Sequence, residues 1–288
     1  MGGEAYEALG ELYDAWCAEV AEDLPFYLGL ASSLAADLGR ERLDIVELGG
    51  GSGRIAVPLA AAGHRVAALD ASPTQLTALR HYAQSVGVAE RIEVASGDMR
   101  ELAKLLPGSQ RADLVIAPFR SLLHVTADRD LVLASAASML RPGGAVAFDV
   151  FHPDAAQVAA TDGRWMHRRS AATHTGRWRF DERAVYTPRD DLERDALGLD
   201  VDVRARWRPV RGRRRRSDHP ADVLDDPGPE AVLERAAQLR LVLVPAERWR
   251  TALERAGMRV DGAYGWFDAR PLQPSDDDSV WVARFDGA

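Results

Sequence analysis

The chain predicts an α/β fold, a doubly wound and mostly parallel sheet carrying a small antiparallel insertion. Three observations support this. Between residues 43 and 151, short apolar runs alternate with helix-like stretches, the pattern of successive βαβ units. The first run, Leu43-Asp44-Ile45-Val46, leads into Glu47-Leu48-Gly49-Gly50-Gly51-Ser52-Gly53, which reads as a buried strand ending in a glycine turn that opens a helix. Acidic residues recur where strands end, at Glu47, Asp70 and Asp98, and ligands of open α/β sheets sit at the carboxyl ends of the strands.

The elements follow in order. Residues 5–39 carry helical periodicity in two stripes: Leu9, Leu12, Tyr13 and Trp16, then Phe26, Tyr27, Leu30, Leu34 and Leu38. Pro25 between them suits a first helical position, and Gly39 ends the second helix. The glycines at 49, 51 and 53 do not complete a dinucleotide fingerprint, because Arg54 stands where that motif needs its third glycine. A carboxylate at Glu47 repels a pyrophosphate but suits an ammonium or sulfonium. The turn therefore favours S-adenosylmethionine over NAD. Arg65–Asp70 reads as the second strand, and Asp70 at its tip is placed to accept both hydroxyls of a ribose. Arg91–Ala95 reads as the third, and Asp98 beyond it could accept from the adenine amine. The fourth is Ala112–Ala117, with Pro118 and Phe119 at its mouth, and the fifth runs to Phe151.

Helices are expected over 54–62, 72–86, 100–106 and 126–140. Ser72 and Thr126 are good N-caps, and Pro58 is tolerable near a first turn. From Asp154 to Val244 the pattern changes. Residues 177–180, 183–186, 201–207 and 240–244 alternate or run apolar like short strands. They read as an antiparallel cap over the open end of the ligand site. Pro245 then starts a helix with Trp249, Ala252, Leu253 and Ala256 on its apolar stripe.

With these residues in view, 43–151 resembles the core of a class I S-adenosylmethionine-dependent methyltransferase. Leu140-Arg141-Pro142-Gly143-Gly144 is similar to that family's turn before the fifth strand, and strands through Val260 and over 279–284 resemble its sixth and seventh. The resemblance implies a seven-stranded sheet and does not cover the stretch from about 154 to 244; the chain divides into a lid over 1–40, a core over 41–153 and 245–288, and an inserted cap over 154–244. It places the cofactor contacts on Glu47, Gly49, Gly51, Gly53, Asp70, Asp98 and Met99. Tyr13 in the lid-like Tyr13-Asp14-Ala15-Trp16 and Phe119 at the fourth strand's mouth join them.

Methyl transfer from a sulfonium is an in-line displacement that depends chiefly on proximity and alignment. A general base is needed only where the acceptor must lose a proton. His152 after the fifth strand is the first candidate, with His124 after the fourth and Asp149 within the fifth. His124 could equally pack or cap, and Asp149 could orient a neighbour. Arg120 could hold an acidic substrate group or pair with a surface carboxylate. Aromatics of the cap and C-terminal region, Trp165, Trp178, Phe180, Tyr186, Trp207, Tyr264, Trp266 and Phe267, are expected to fill the cap's core and to wall a site for an amine or a flat ring.

Composition bounds the rest. The net charge of −8 argues against a nucleic-acid partner. The run Arg211-Gly212-Arg213-Arg214-Arg215-Arg216, followed by acidic residues to 226, reads as a solvated, mobile loop. No apolar run is long enough to span a membrane, and no secretory signal is visible. Cys17 is the single cysteine, which makes the cytoplasm the default. No His/Cys spacing suggests a metal. The expectation is a methyltransferase acting on N, O or C of a small amine-bearing or aromatic molecule, in specialised metabolism. The alternatives are a NAD-dependent oxidoreductase and a non-catalytic cofactor-binding protein. The sequence leaves the oligomeric state open.

Overall fold

A computed structural model describes the chain except residues 1, 2, 11, 19, 20, 107–111, 174, 175, 190, 193, 194, 210–222, 225–232 and 288. Seven strands form the main sheet in the order β11-β12-β5-β4-β1-β2-β3. They are β1 (Asp44–Leu48), β2 (Arg65–Asp70), β3 (Ile92–Ser96), β4 (Ala112–Ala117), β5 (Leu140–Phe151), β11 (Arg259–Tyr264) and β12 (Asp278–Arg284). The strands β3, β2, β1, β4 and β5 run parallel, while β12 is antiparallel to both of its neighbours. Chain order reverses between β1 and β4, so a crevice opens at their carboxyl ends.

Both faces are covered, which is why these strands read as unbroken apolar runs. On one face, α3 (Asp23–Asp37), α4 (Ala56–Ala61) and α5 (Pro73–Val86) bury Tyr27, Leu34, Ile55, Leu59, Leu76 and Leu79 against Ile45, Val66, Leu114 and Ile116. On the other, α6 (Leu102–Leu105), α7 (Arg129–Met139) and α9 (Ala246–Arg255) set Leu102, Leu133, Trp249 and Leu253 against Val46, Val115 and Phe148. At about 25 cal/mol per Å² of apolar surface, a buried Leu or Phe contributes roughly 1.5–3 kcal/mol.

The second sheet has the order β10-β8-β7-β6-β9. It comprises β6 (Trp165–Thr173), β7 (Gly176–Pro188), β8 (Leu197–Pro209), β9 (Val223–Leu224) and β10 (Glu234–Leu243), and α8 (Ala155–Thr161) precedes it. Four strands are antiparallel, and β9 joins β6 in parallel. The expected strands at 177–180 and 183–186 are one strand. Asp181 and Glu182 interrupt the apolar pattern, but Asp181 lies buried between Arg179 and Arg206 and the ladder runs through.

Other boundaries shift for local reasons. The N-terminal stripe breaks at Gly10 (φ 54) into α1 (Gly3–Leu9) and α2 (Leu12–Cys17). These two helices pack on the cap sheet, where Leu9, Leu12 and Trp16 meet Trp178, Phe180 and Val203, while α3 belongs to the core. Helix α3 begins at Asp23, so Pro25 sits within its first turn, where a missing N–H is harmless. Ser72 caps α5, accepting from the Gln75 amide. Thr126 caps nothing: α7 starts at Arg129 after Asp128 (φ 64). The turn expected over 140–144 is a register shift inside β5. The arginine run 211–216 and the acidic stretch to 226 lie outside the described residues, save Val223 and Leu224.

Candidate active site

A cavity of about 1080 Å³ opens above the carboxyl ends of β1, β2 and β4 and reaches the lid helices and β10. Glu47, Gly49, Gly50 and Gly51 form its floor, with Asp70, Asp98, Met99 and Phe119 around the rim, and Tyr6, Tyr13 and His124 complete the lining.

The glycine turn has two kinds of glycine. A Cβ on Gly51 (φ +52) would meet nothing within 4 Å, so its missing side chain leaves open cavity. A Cβ on Gly53 (φ +90) would come within 2.9 Å of Leu79 Cγ and Val57 Cγ2. Gly53 therefore serves helix packing and does not line the cavity, contrary to its expected place among the cofactor contacts. Gly49 (φ +76) lines the cavity, and its backbone passes directly beneath Ser121.

Glu47 is buried, and its Oε2 has no hydrogen-bond partner. Burial, offset by Arg54, pushes its carboxyl up to about 8. Arg54 is shared with a second carboxylate. It binds Asp23 bidentately, with both N···O distances 2.6 Å. The cavity thus holds a buried acid without a full counter-charge, which suits a cationic ligand. Asp70 is pinned at the tip of β2: Oδ2 accepts from the Gly51 amide at 2.9 Å and Oδ1 from the Ser72 amide at 2.8 Å. Each oxygen keeps a further lone pair for a hydroxyl. These residues fit a ribose with a cationic arm. Asp98 is differently placed than expected, since Arg100 chelates its carboxylate, Nη2 to Oδ2 at 2.6 Å, and only remaining lone pairs face an amine.

The candidate bases separate. His152 lies outside the cavity: its backbone amide donates to the Asp277 carbonyl, and its Nε2 is 3.1 Å from the Asp195 carbonyl oxygen. Asp149 is also outside, buried beneath the loop after β4, where it accepts the Phe119 and Arg120 amides and the Tyr27 hydroxyl. His124 alone of the three lines the cavity. Its Nε2 is 2.6 Å from Tyr6 Oη. Burial drives its imidazole down to about 4. The same desolvation pushes Tyr6 up, so the phenol keeps its proton and donates to a neutral imidazole. Tyr6 packs edge-on against Tyr13, centroids 4.9 Å apart. The sequence reading missed Tyr6, since only the lid's packing joins it to a residue 118 positions away.

The aromatics expected to wall the site lie elsewhere. Trp178 and Phe180 pack against the lid helices, and Tyr264 and Phe267 pack against Phe26. Arg120 pairs with Asp278 at 2.6 Å. Among the described residues no His/Cys/Asp/Glu group could hold a metal ion.

A family model described as "Methyltransferase domain" matches residues 45–144, the stretch that builds this floor and rim. Residues 45–144 thus match a methyltransferase domain. The domain is similar over 109 residues, at 30% identity, to the tRNA 5-carboxymethoxyuridine methyltransferase of Escherichia coli strain K12. That match covers 38% of this chain and 40% of the relative, so the chain spans less than half the length of the curated relative. Two solved structures extend the likeness to nearly the whole fold. The CcbJ methyltransferase of Streptomyces caelestis is 20% identical with a TM-score of 0.68, covering 99% of this chain and 98% of that one. CalS10 of Micromonospora echinaspora, an amino pentose methyltransferase with S-adenosylmethionine bound, is 16% identical with a TM-score of 0.62, covering 98% and 95%. At such identities the likeness is one of fold. No helix among the described residues is long and apolar enough to cross a membrane.

Proposed function

We propose that this chain moves the methyl group of S-adenosylmethionine to the amine nitrogen of a small polar molecule, in specialised metabolism and in the cytoplasm. The observation that supports the acceptor best is the Tyr6–His124 pair, 2.6 Å apart and lining the same cavity as Glu47 and Asp70. When bound, S-adenosylmethionine supplies an electrophilic methyl on a sulfonium. Asp70 would accept the ribose hydroxyls, Glu47 would face the cationic arm, and Gly49 and Gly51 would let the backbone approach. Tyr13, Asp98, Met99 and Phe119 close the rim.

The chain's own groups then favour nitrogen. An imidazole held near 4 is too weak a base to draw a proton from an alcohol. A neutral amine already carries the lone pair it needs, and a desolvated site favours the neutral form. The Tyr6 and Tyr13 phenols line the cavity and could accept its N–H groups and hold the amine in place, so that proximity would do most of the work. The amino pentose activity named for CalS10 is consistent with such an acceptor. The lid helices and β10 border the cavity, which suits a small molecule better than the tRNA of the partial relative. Glu47 beside the turn argues against a dinucleotide, hence against the oxidoreductase alternative.

Matched panels of amino sugars, small amines and the corresponding alcohols, incubated with the chain and S-adenosylmethionine, test this by mass spectrometry. One methyl increment on amines, absent from the alcohols, is expected. Methylation of alcohols alone would overturn the acceptor, and no transfer to anything would favour a binding protein without turnover.

A further inference from the structure

On the cap sheet, Trp178, Phe180, Val203 and Ala205 face the lid helices. The alternate positions of the same strands point to the opposite face. There Arg177 stands opposite Arg208, and Arg179 opposite Arg206, on adjacent rungs of β7 and β8, with Ser170 of β6 opposite Arg179. These five residues line a second cavity of about 300 Å³.

The charge balance of this patch is unusual. Like charges directly opposite in a sheet destabilise it, yet two such pairs are stacked here, in a chain of net charge −8. Asp181 is the one carboxylate between them, bound to Arg179 at 2.8 Å and to Arg206 at 2.5 Å. Glu234, in register with Arg206, turns to Arg204 instead at 3.5 Å. Among the described residues no carboxylate pairs with Arg177 or Arg208. Rungs on one face lie about 6.8 Å apart and strands about 4.8 Å apart. The guanidinium forks therefore converge on a space the size of one or two phosphoryl groups, with the Ser170 hydroxyl beside it, and Arg is the side chain best matched to phosphate oxygens.

We propose that this patch binds the phosphate or diphosphate group of a phosphorylated small molecule, at a site separate from the methyl-transfer cavity. The anion relieves the repulsion across the β7–β8 rungs while Asp181 keeps Arg179 and Arg206 oriented.

Titration calorimetry on the full chain, at constant ionic strength, tests this with inorganic phosphate and pyrophosphate as probes. Pyrophosphate should bind more tightly than phosphate. Arg177→Gln and Arg208→Gln together should weaken pyrophosphate at least tenfold while leaving S-adenosylmethionine affinity unchanged. Thermal melting separates folding from binding. Without anion the double variant should melt no lower than the parent, since it has lost only repulsion, and pyrophosphate should raise the melting temperature of the parent alone. Equal pyrophosphate binding by parent and double variant overturns the proposal. So does a melting shift that chloride reproduces, or binding of an RNA oligomer where pyrophosphate does not bind.

Discussion

Asp149 Oδ1 accepts the backbone amide of Phe119 at 2.8 Å, joining the end of β5 to the loop that leaves β4. Its Oδ2 accepts the Arg120 amide at 2.9 Å, and Tyr27 Oη donates to Oδ1 at 2.9 Å. Phe119 (φ 55) and Arg120 (φ 61) are consecutive left-handed residues, a conformation that costs about 1–2 kcal/mol each. One carboxylate holds both, and with them the loop that carries Phe119 and His124 into the cavity.

Asp149→Ala should therefore cost roughly 2–4 kcal/mol of stability by leaving buried donors unpaired, and should loosen cofactor binding. Denaturant unfolding and calorimetry together check this. A variant as stable as the parent would remove Asp149 from this positioning role.

The two glycines of the turn should separate binding from folding. Gly51→Val places a branched side chain in open cavity and should abolish S-adenosylmethionine binding while the chain still folds, at a strain of about 1–2 kcal/mol. Gly53→Ala presses on Leu79 and Val57 and should lower stability first. Melting curves and titrations on both variants distinguish these outcomes, and a reversed pattern would misassign the turn.

Glu47 predicts a pH dependence. Its folded-state carboxyl is raised to about 8 by burial, above its unfolded value of about 4.3. Its contribution to stability is present below the unfolded value and is lost as pH rises through the folded one. Without cofactor, the chain should lose stability between about pH 4.5 and 8 relative to Glu47→Gln. Binding a cation favours the ionised form, so S-adenosylmethionine binding near neutrality should release a proton. Calorimetry in buffers of different ionisation enthalpy reads that proton. Identical heats across buffers would contradict the role of Glu47.

His124 and His152 should differ sharply. His124→Ala removes the acceptor of the Tyr6 hydroxyl and should lower turnover by roughly ten- to a hundredfold, with cofactor affinity kept. His152→Ala should turn over like the parent. Because burial holds His124 near 4, the pH–rate profile should show no histidine limb between pH 6 and 7. A limb there that vanishes with His152→Ala would restore the base expected from the sequence.

The main sheet was readable because its strands are buried on both faces and leave continuous apolar runs, as in Ala112–Ala117, all buried. The acid ends of β1 and β2 were readable because chemistry, not packing, explains Glu47 and Asp70. What escaped was set by distant contacts. Strand β6 hides in Trp165–Thr173 because a register shift between His167 and Arg169 breaks its alternation. Asp149 looked like a base from its place in the sheet, yet its oxygens are occupied by the loop it holds. Tyr6 gave no local signal; only the docking of α1 between the cap sheet and α5 brings it to His124. Whether the cap and lid act as units separate from the core is a proposal that the packing of Leu9 and Trp16 on the cap sheet supports.

The docking of α1 has a visible latch. The Glu7 carboxylate accepts from the Thr74 amide at 3.0 Å and from the hydroxyls of Ser72 and Thr74, at the first turn of α5 beside Asp70. Glu7→Ala should speed cofactor release by about tenfold, the loss of one charge-assisted bond, with little change in melting temperature because the side chain is exposed. Stopped-flow release of S-adenosylmethionine measures it, and an unchanged rate would mean that α1 does not gate the cavity.

The cavity floored by Glu47 and the glycine turn and edged by Asp70 fits a cationic nucleoside. Titration of parent and Asp70→Ala with S-adenosylmethionine and with NAD tests this most directly. The parent should bind one S-adenosylmethionine per chain and no NAD, and the loss of the Asp70 carboxylate should cost about 1.5–3 kcal/mol of that affinity. Binding of NAD without S-adenosylmethionine, or full affinity in a folded Asp70→Ala variant, would contradict it.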